Sequence, residues 1–240
     1  MTYRLYYWPT IQGRGEFVRL ALEAAGADYQ DMARGKGEGQ GVKAMMALMG
    51  DKALAHPPFA PPFLVDGEVT IAQTANILFY LGPKLGLAPD AEADRLFAHQ
   101  LQLTVTDLVV EAHDTHHPIA GDLYYEDQKP EAAQRAKGFR EGRIPKYLGY
   151  FEDVLVRSDG LRALSAHSYV DLSLFQIMSG LDYAFPQAMR RLRRKLPHLH
   201  ALAAQVAERP RIAAYLASPR RLAFNEDGIF RHYPELDAAR

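Results

Sequence analysis

The sequence predicts an α/β N-terminal domain with a β-α-β-β-α core, followed by an all-α domain. Three observations carry this. Aromatic and β-branched runs near residues 3–7 and 63–71 are strand signals. Apolar residues at helical spacing lie between and after them. Beyond the Gly/Pro-punctuated stretch at 82–89, almost every segment has a helical period. The expected division is residues 1–82, a linker at 83–89, and a helical domain at 90–240.

Tyr3-Arg4-Leu5-Tyr6-Tyr7 forms the first expected strand, and Pro9 to Gly13 a turn. From Arg14, Phe17, Leu20, Ala21 and Ala24 recur at helical spacing, and Gly26 suits the stop. A second strand is expected over about 28–32. Residues 34–61 are rich in glycine and proline and read as a loop with one short helix near 45–49. Asp66-Gly67 between Phe63-Leu64-Val65 and Val69-Thr70-Ile71 is a hairpin signal, because glycine tolerates the positive φ of a tight turn. Gln73-Thr74 then opens a helix through Leu81.

In the second half, helices are expected at about 90–116, 130–157, 169–184, 187–208 and 210–217. Ser168 and Asp171 frame a capping box ahead of Leu172, Leu174 and Phe175. Residues 224–237 lack a clear period and read as an ordered coil.

Composition narrows the chemistry. Of 240 residues, 28 are Lys or Arg and 29 are Asp or Glu, a balance with no electrostatic footprint for nucleic acid or an acidic membrane. The absence of cysteine excludes disulfides, thiolate metal sites and a protein thiol nucleophile. Any sulfur nucleophile must arrive on a substrate or cofactor. No apolar run is long enough to span a bilayer, and MTYRLYYWPT lacks a secretory pattern, so a cytoplasmic protein is expected.

Three separated segments now carry a resemblance. Tyr7-Trp8-Pro9 with Gly13-Arg14 and a helix resembles the Tyr-Phe-Pro…Gly-Arg opening of the tyrosine-type cytosolic glutathione transferases (alpha, mu, pi and sigma), here expected in a bacterial chain. Pro62-Phe63-Leu64-Val65-Asp66-Gly67 through Gln73-Thr74 to Ile77 is similar to that family's Pro-x-hydrophobic-x-Asp-Gly…Gln-Ser-x-x-Ile signature. The box at 168–171 lies where the family carries its own. Together they cover essentially the whole chain. The resemblance implies a thioredoxin-like first domain that binds glutathione, and a helical domain that carries the co-substrate pocket.

It also implies roles. A thiol with an ordinary pKa near ~8.5 is only slightly ionised at neutral pH, and a hydrogen bond to its sulfur favours the anion. Tyr7 would supply that bond. Alternation turns Tyr6, the competing phenol, to the opposite face. Trp8, Arg14 and Lys43 would contribute to glutathione binding, Lys43 at the glycine carboxylate. Pro61-Pro62 would hold a cis bond presenting backbone to the peptide. Gln73 and Thr74, at a helix start that favours anions, would hold the γ-glutamyl end. Leu103 and Asp107, near a position where several tyrosine-type classes place an aspartate, receive no role.

The expected co-substrate pocket takes His113, His117 and Tyr124, with His116 and Tyr125 nearby. His113 and His117 share a helical spacing that could bind a metal, but no acidic-His motif accompanies them, and a hydrogen-bonded helix end is the expectation. No metal is expected. The basic run Arg190 to Lys195 reads as a solvent-facing surface. The expected activity is conjugation of the glutathione thiolate to small electrophiles by a homodimer. The alternatives are a glutathione-dependent isomerase or peroxidase, or a non-catalytic ligand carrier or interaction protein of the same fold. A serine-type site is less favoured: no serine precedes Ser158, leaving Thr10 as the hydroxyl candidate.

Overall fold

In the computed structural model of the chain, residues 2–238 are described. Strand β1 (Tyr3–Tyr6) is followed by helix α1 (Gly15–Ala25), β2 (Tyr29–Asp31), α2 (Gly41–Met49), the hairpin β3 (Phe63–Asp66) and β4 (Val69–Ala72), and α3 (Thr74–Lys84). The sheet order is β2-β1-β3-β4. β1 pairs parallel with β2 and antiparallel with β3, placing Leu5 opposite Asp31 and Leu64. This mixed sheet with its helices is the expected α/β core.

Pleating decides what each face does. Leu5, Leu64 and Ile71 point to the side covered by Val18 and Leu22 of α1 and Ile77 and Leu81 of α3. Tyr6, Phe63 and Val65 point the other way, against Met32, just after β2, and Met45 of α2. Tyr6 stacks on Phe63, with ring centroids 4.6 Å apart. Tyr7, just past the strand end, therefore returns to the α1 side.

The remainder is helical: α4 (Glu92–His113), α5 (Lys129–Gly138), α6 (Ile144–Arg157), α7 (Tyr169–Ala184), α8 (Pro186–Leu192), α9 (Pro197–Glu208), α10 (Pro210–Leu216) and a short α11 (Pro234–Asp237). Helix α7 is buried on nearly every side. The predicted box is formed: Asp171 accepts the Ser168 N–H (2.9 Å) and the Ser168 hydroxyl accepts the Val170 N–H (3.3 Å). Phe17, Leu20 and Ala21 of α1 and Leu78 of α3 join the helical core, so one apolar interior runs from the sheet's helices into the bundle.

Several expectations need correction. The segment at 130–157 is two helices joined by a π-helical turn at Phe139–Arg143. Pro145, without an N–H, cannot complete an α-helical ladder there, and the wider turn absorbs the mismatch. The segment at 187–208 is likewise interrupted. Pro197 keeps Leu196 out of the helical region (φ −130°, ψ 46°), and Arg193–Lys195 tightens into a 3₁₀ turn. Residues 34–61 hold a longer helix than expected, α2, preceded by a 3₁₀ turn at Met32–Arg34. The C-terminal segment is coil except for α11. Arg190, Arg191 and Arg193 to Lys195 are exposed, in line with the reading of that run as surface.

Candidate functional site

The Tyr7 ring is sunk beneath the turn that leads into α1, with 3% of the residue exposed. Two glycines make that possible. A Cβ at Gly13 would lie 2.1 Å from the Tyr7 hydroxyl, and one at Gly15 would lie 2.5 Å from the ring. Gly13 also holds a left-handed φ of 46°, which side chains resist. The Tyr7 hydroxyl accepts the Arg14 N–H at 2.8 Å. None of the described hydrogen bonds uses the phenol's own proton. Burial pushes the Tyr7 phenol up from its ordinary value; the Arg14 N–H and the Arg14 and Arg19 cations oppose that only in part. The group is thus a protonated O–H donor at neutral pH.

Below the ring lies a buried charge network. Arg19 sits with its guanidinium carbon 5.7 Å from the Tyr7 ring centre. It donates to Asp31 (2.7 Å) and Glu16 (3.4 Å), and to the carbonyls of Ile11 and Gln12 (both 3.4 Å). Those carboxylates raise its pKa despite burial. Glu16 also accepts the Tyr215 hydroxyl (2.7 Å) and Arg221 (2.5 Å). Each buried charge has an opposite partner, the condition for retaining charge inside a fold.

Helix α3 begins opposite this turn. Gln73 precedes it with φ 70° and ψ 119°, the single positive φ outside glycine among the described residues. Such backbone costs about 1–3 kcal/mol and persists where the surroundings hold it. The helix start has no side-chain cap, so its first N–H groups are directed outward without an internal acceptor. Thr74, nearly buried, aims its hydroxyl at the Arg14 carbonyl (3.5 Å). The Arg14 backbone therefore joins two predicted residues, with its N–H on Tyr7 and its carbonyl facing Thr74. Arg14 and Thr74 line a narrow crevice with Phe17 and, from α4, Gln102, Val105, Thr106 and Val109.

The Pro61-Pro62 bond is cis, immediately before β3. Trp8, next in the chain after Tyr7, is 38% exposed. Lys43 stands on the exposed face of α2 and makes no hydrogen bond or ion pair with the described residues. Leu103 and Asp107 are exposed on α4.

The helix expected to reach about 116 ends at His113, so His117 does not share a helical face with it; the turn that follows brings the two together instead, with ring centroids 4.8 Å apart. The buried His116 joins them, its ring centre 5.1 Å from His113 and 4.8 Å from His117. Tyr124 is 76% exposed, and no described contact brings it to this group. Tyr125 is buried and stacks on Tyr233.

Sequence reasoning missed Gly15, Glu16, Arg19 and Arg221 as parts of this centre. A charged pair at Glu16 and Arg19 inside an apolar helix was the available signal.

Residues 113–219 match the family described as glutathione S-transferase, C-terminal domain. The chain is 22% identical to a glutathione S-transferase of Plasmodium falciparum, over 92% of this chain and 97% of that one. It is 26% identical to glutathione S-transferase Mu 2 of Rattus norvegicus, over 93% and 94%. Among solved structures it is similar to the Pi-class glutathione S-transferase of Onchocerca volvulus: TM-score 0.68, 22% identity, 90% of this chain and 92% of that one. These relatives come from a protozoan and animals and lend nothing to the expected bacterial source. A glutathione S-transferase C-terminal domain thus matches residues 113–219, and the likeness to proteins named glutathione S-transferase extends along nearly the whole chain.

Proposed function

We propose that this chain of the glutathione S-transferase family is a tyrosine-type transferase that conjugates glutathione to small electrophiles. The observation that carries the reading is the buried, protonated Tyr7 phenol, whose oxygen is held by the Arg14 N–H while its own proton is uncommitted. A proton directed at a sulfur favours the thiolate over the thiol. The thiolate then attacks the electrophilic carbon, the S–C bond forms, and the displaced electron pair leaves with the leaving group or enters the acceptor π-system. The thiol proton goes to solvent.

In this reading, the uncapped start of α3 with Gln73 and Thr74 holds the γ-glutamyl carboxylate. The backbone ahead of the cis Pro61-Pro62 bond pairs with the cysteinyl unit, and Trp8, Arg14 and Lys43 serve the remainder of the tripeptide. Residues 1–82 form the glutathione-binding domain and 90–240 the helical domain, joined by 83–89. The electrophile enters from the α4 side of the crevice, towards His113, His117 and Tyr124. Pairing of two copies and a cytoplasmic location belong to the same proposal. Among the described residues, no helix is long and apolar enough to cross a membrane.

The test is steady-state conjugation of 1-chloro-2,4-dinitrobenzene by Tyr7→Phe, alongside calorimetric binding of glutathione. A hydrogen bond to a charged group is worth about 1.5–3 kcal/mol, so kcat should fall roughly 10- to 100-fold while the tripeptide still binds. Unchanged turnover in a folded Tyr7→Phe protein would overturn the assignment.

A further inference from the structure

The thiol chemistry proposed above places His113 and His117 towards the entering electrophile but gives no proton or bond-making step to the three-histidine cluster at the end of α4. The chain turns tightly after His113, with the His116 N–H on the His113 carbonyl (3.2 Å), and this folds His116 and His117 back over the helix end. One ring nitrogen from each of the three lies within 4.8 Å of the others. Among the described residues, no second group of three histidines or carboxylates has this closeness.

The hydrogen bonds around His116 define which nitrogen is free. Its Nε2 lies 2.8 Å from the Ile229 carbonyl, which can only accept, so Nε2 carries the proton and Nδ1 presents a lone pair. That lone pair lies 2.6 Å from Nδ1 of His117. Two lone pairs repel at this distance, so the gap is filled by a proton from His117 or by a cation. An imidazole that gives its other N–H to a backbone carbonyl is the usual outer support of a metal ligand, because it fixes ring and tautomer together.

We propose that His113, His116 and His117 form a three-imidazole site for a borderline divalent transition-metal ion of the zinc class, with a fourth position open. Three neutral nitrogen donors suit zinc, copper, nickel and cobalt, and do not suit magnesium or calcium. A tetrahedral centre with bonds of 2.0–2.1 Å spaces its donors about 3.3 Å apart. Reaching it requires the 2.6 Å contact to open and the longest separation to close. His116 is buried and anchored to Ile229, whereas His113 and His117 are only partly buried. Their partial exposure leaves the open position towards solvent.

Burial, with help from neighbouring positive groups, holds His113 down at about 4 and His116 at about 2, and lowers His117 as well. The charges facing the cluster are mixed. Arg231 and Arg14 disfavour a dication, while Asp114 lies 3.9 Å from Nδ1 of His113 and shares its charge with Arg135 (3.6 Å). The opposed charges point to a moderate affinity rather than a permanently loaded structural site.

The site is tested on untagged, metal-stripped protein without glutathione, since a free thiol would chelate the probe. Zinc chloride is titrated by calorimetry, and cobalt chloride by visible absorption. The expected result is one ion per chain and intense cobalt bands of a tetrahedral or five-coordinate centre. His117→Gln and His113→Asn, both on the accessible side of the cluster, should each weaken binding at least about tenfold. His167→Gln, on a separate histidine, should leave binding unchanged. Circular dichroism checks that each variant folds. Absence of stoichiometric binding at micromolar zinc would overturn the proposal. So would equal affinity in wild type, His117→Gln and His113→Asn, because the ion would then be held elsewhere.

Discussion

At the scale of single residues, Tyr7 depends on what its neighbours lack. Gly13 and Gly15 leave the space the ring occupies, and Arg14 supplies the N–H that orients the phenol oxygen. Gly15→Ala would drive a methyl group to within 2.5 Å of a buried ring. The expected outcome is loss of about 1–3 kcal/mol of stability together with loss of conjugation, measured by urea unfolding and steady-state assay. Gly13→Ala adds backbone strain at φ 46° and should be at least as damaging. Tyr7 was legible in the sequence as a residue type in a motif, and its face followed from alternation. The cradle around it was not, because a glycine shows no sign of which ring will fill its missing side chain. The same limit applied to the histidines: helical spacing suggested that His113 and His117 meet, but it is the turn after α4 that brings both His116 and His117 to His113.

At the scale of elements, prediction succeeded where one physical signal dominated. The Asp66-Gly67 hairpin and the Ser168–Asp171 box are read from local chemistry and are formed as expected. Prediction failed where periodicity continued across a proline. The apolar spacing through 130–157 and 187–208 hid the effects of Pro145 and Pro197, whose missing N–H groups break the ladders. Helix α3 carries a second cost that sequence could not reveal, the positive φ of Gln73. Gln73→Gly would relieve that backbone and remove the side chain proposed to bind the γ-glutamyl end. Thermal stability should then hold or rise slightly while glutathione affinity falls. A loss of both would mean that Gln73 acts in packing rather than in recognition.

At the scale of the whole molecule, the C-terminal segment closes over the turn that carries the site. Asn225 donates to the Thr10 carbonyl (2.9 Å), Gln12 donates to that of Leu222 (2.5 Å), and Arg221 reaches Glu16 (2.5 Å). Asp237 in turn accepts the Gln187 and Ala188 N–H groups at the start of α8. Arg221→Met would leave Glu16 buried with Arg19 as its remaining cation, at a cost of about 1–3 kcal/mol, visible as a drop in the unfolding midpoint. The buried histidine cluster should make the fold acid-sensitive. His113 and His116 ionise in the unfolded chain near the ordinary value of 6.5 but resist protonation when folded, so the unfolded state binds more protons below that pH. Stability should be fully present above about pH 6.5 and fall as pH drops from there towards 4. His116→Gln, if it folds, should flatten that slope in a pH series of unfolding midpoints.

The central claim is that Tyr7 directs its phenolic proton at the sulfur of bound glutathione. It is tested most directly by titrating the thiolate absorbance of glutathione bound to wild-type and Tyr7→Phe protein. At a hydrogen-bond worth of about 1.5–3 kcal/mol, the wild type should show a thiol pKa roughly one to two units below the free value, and the variant should lose that shift. A wild-type thiol that ionises no more readily than free glutathione, or a depressed value that survives Tyr7→Phe, would contradict the account.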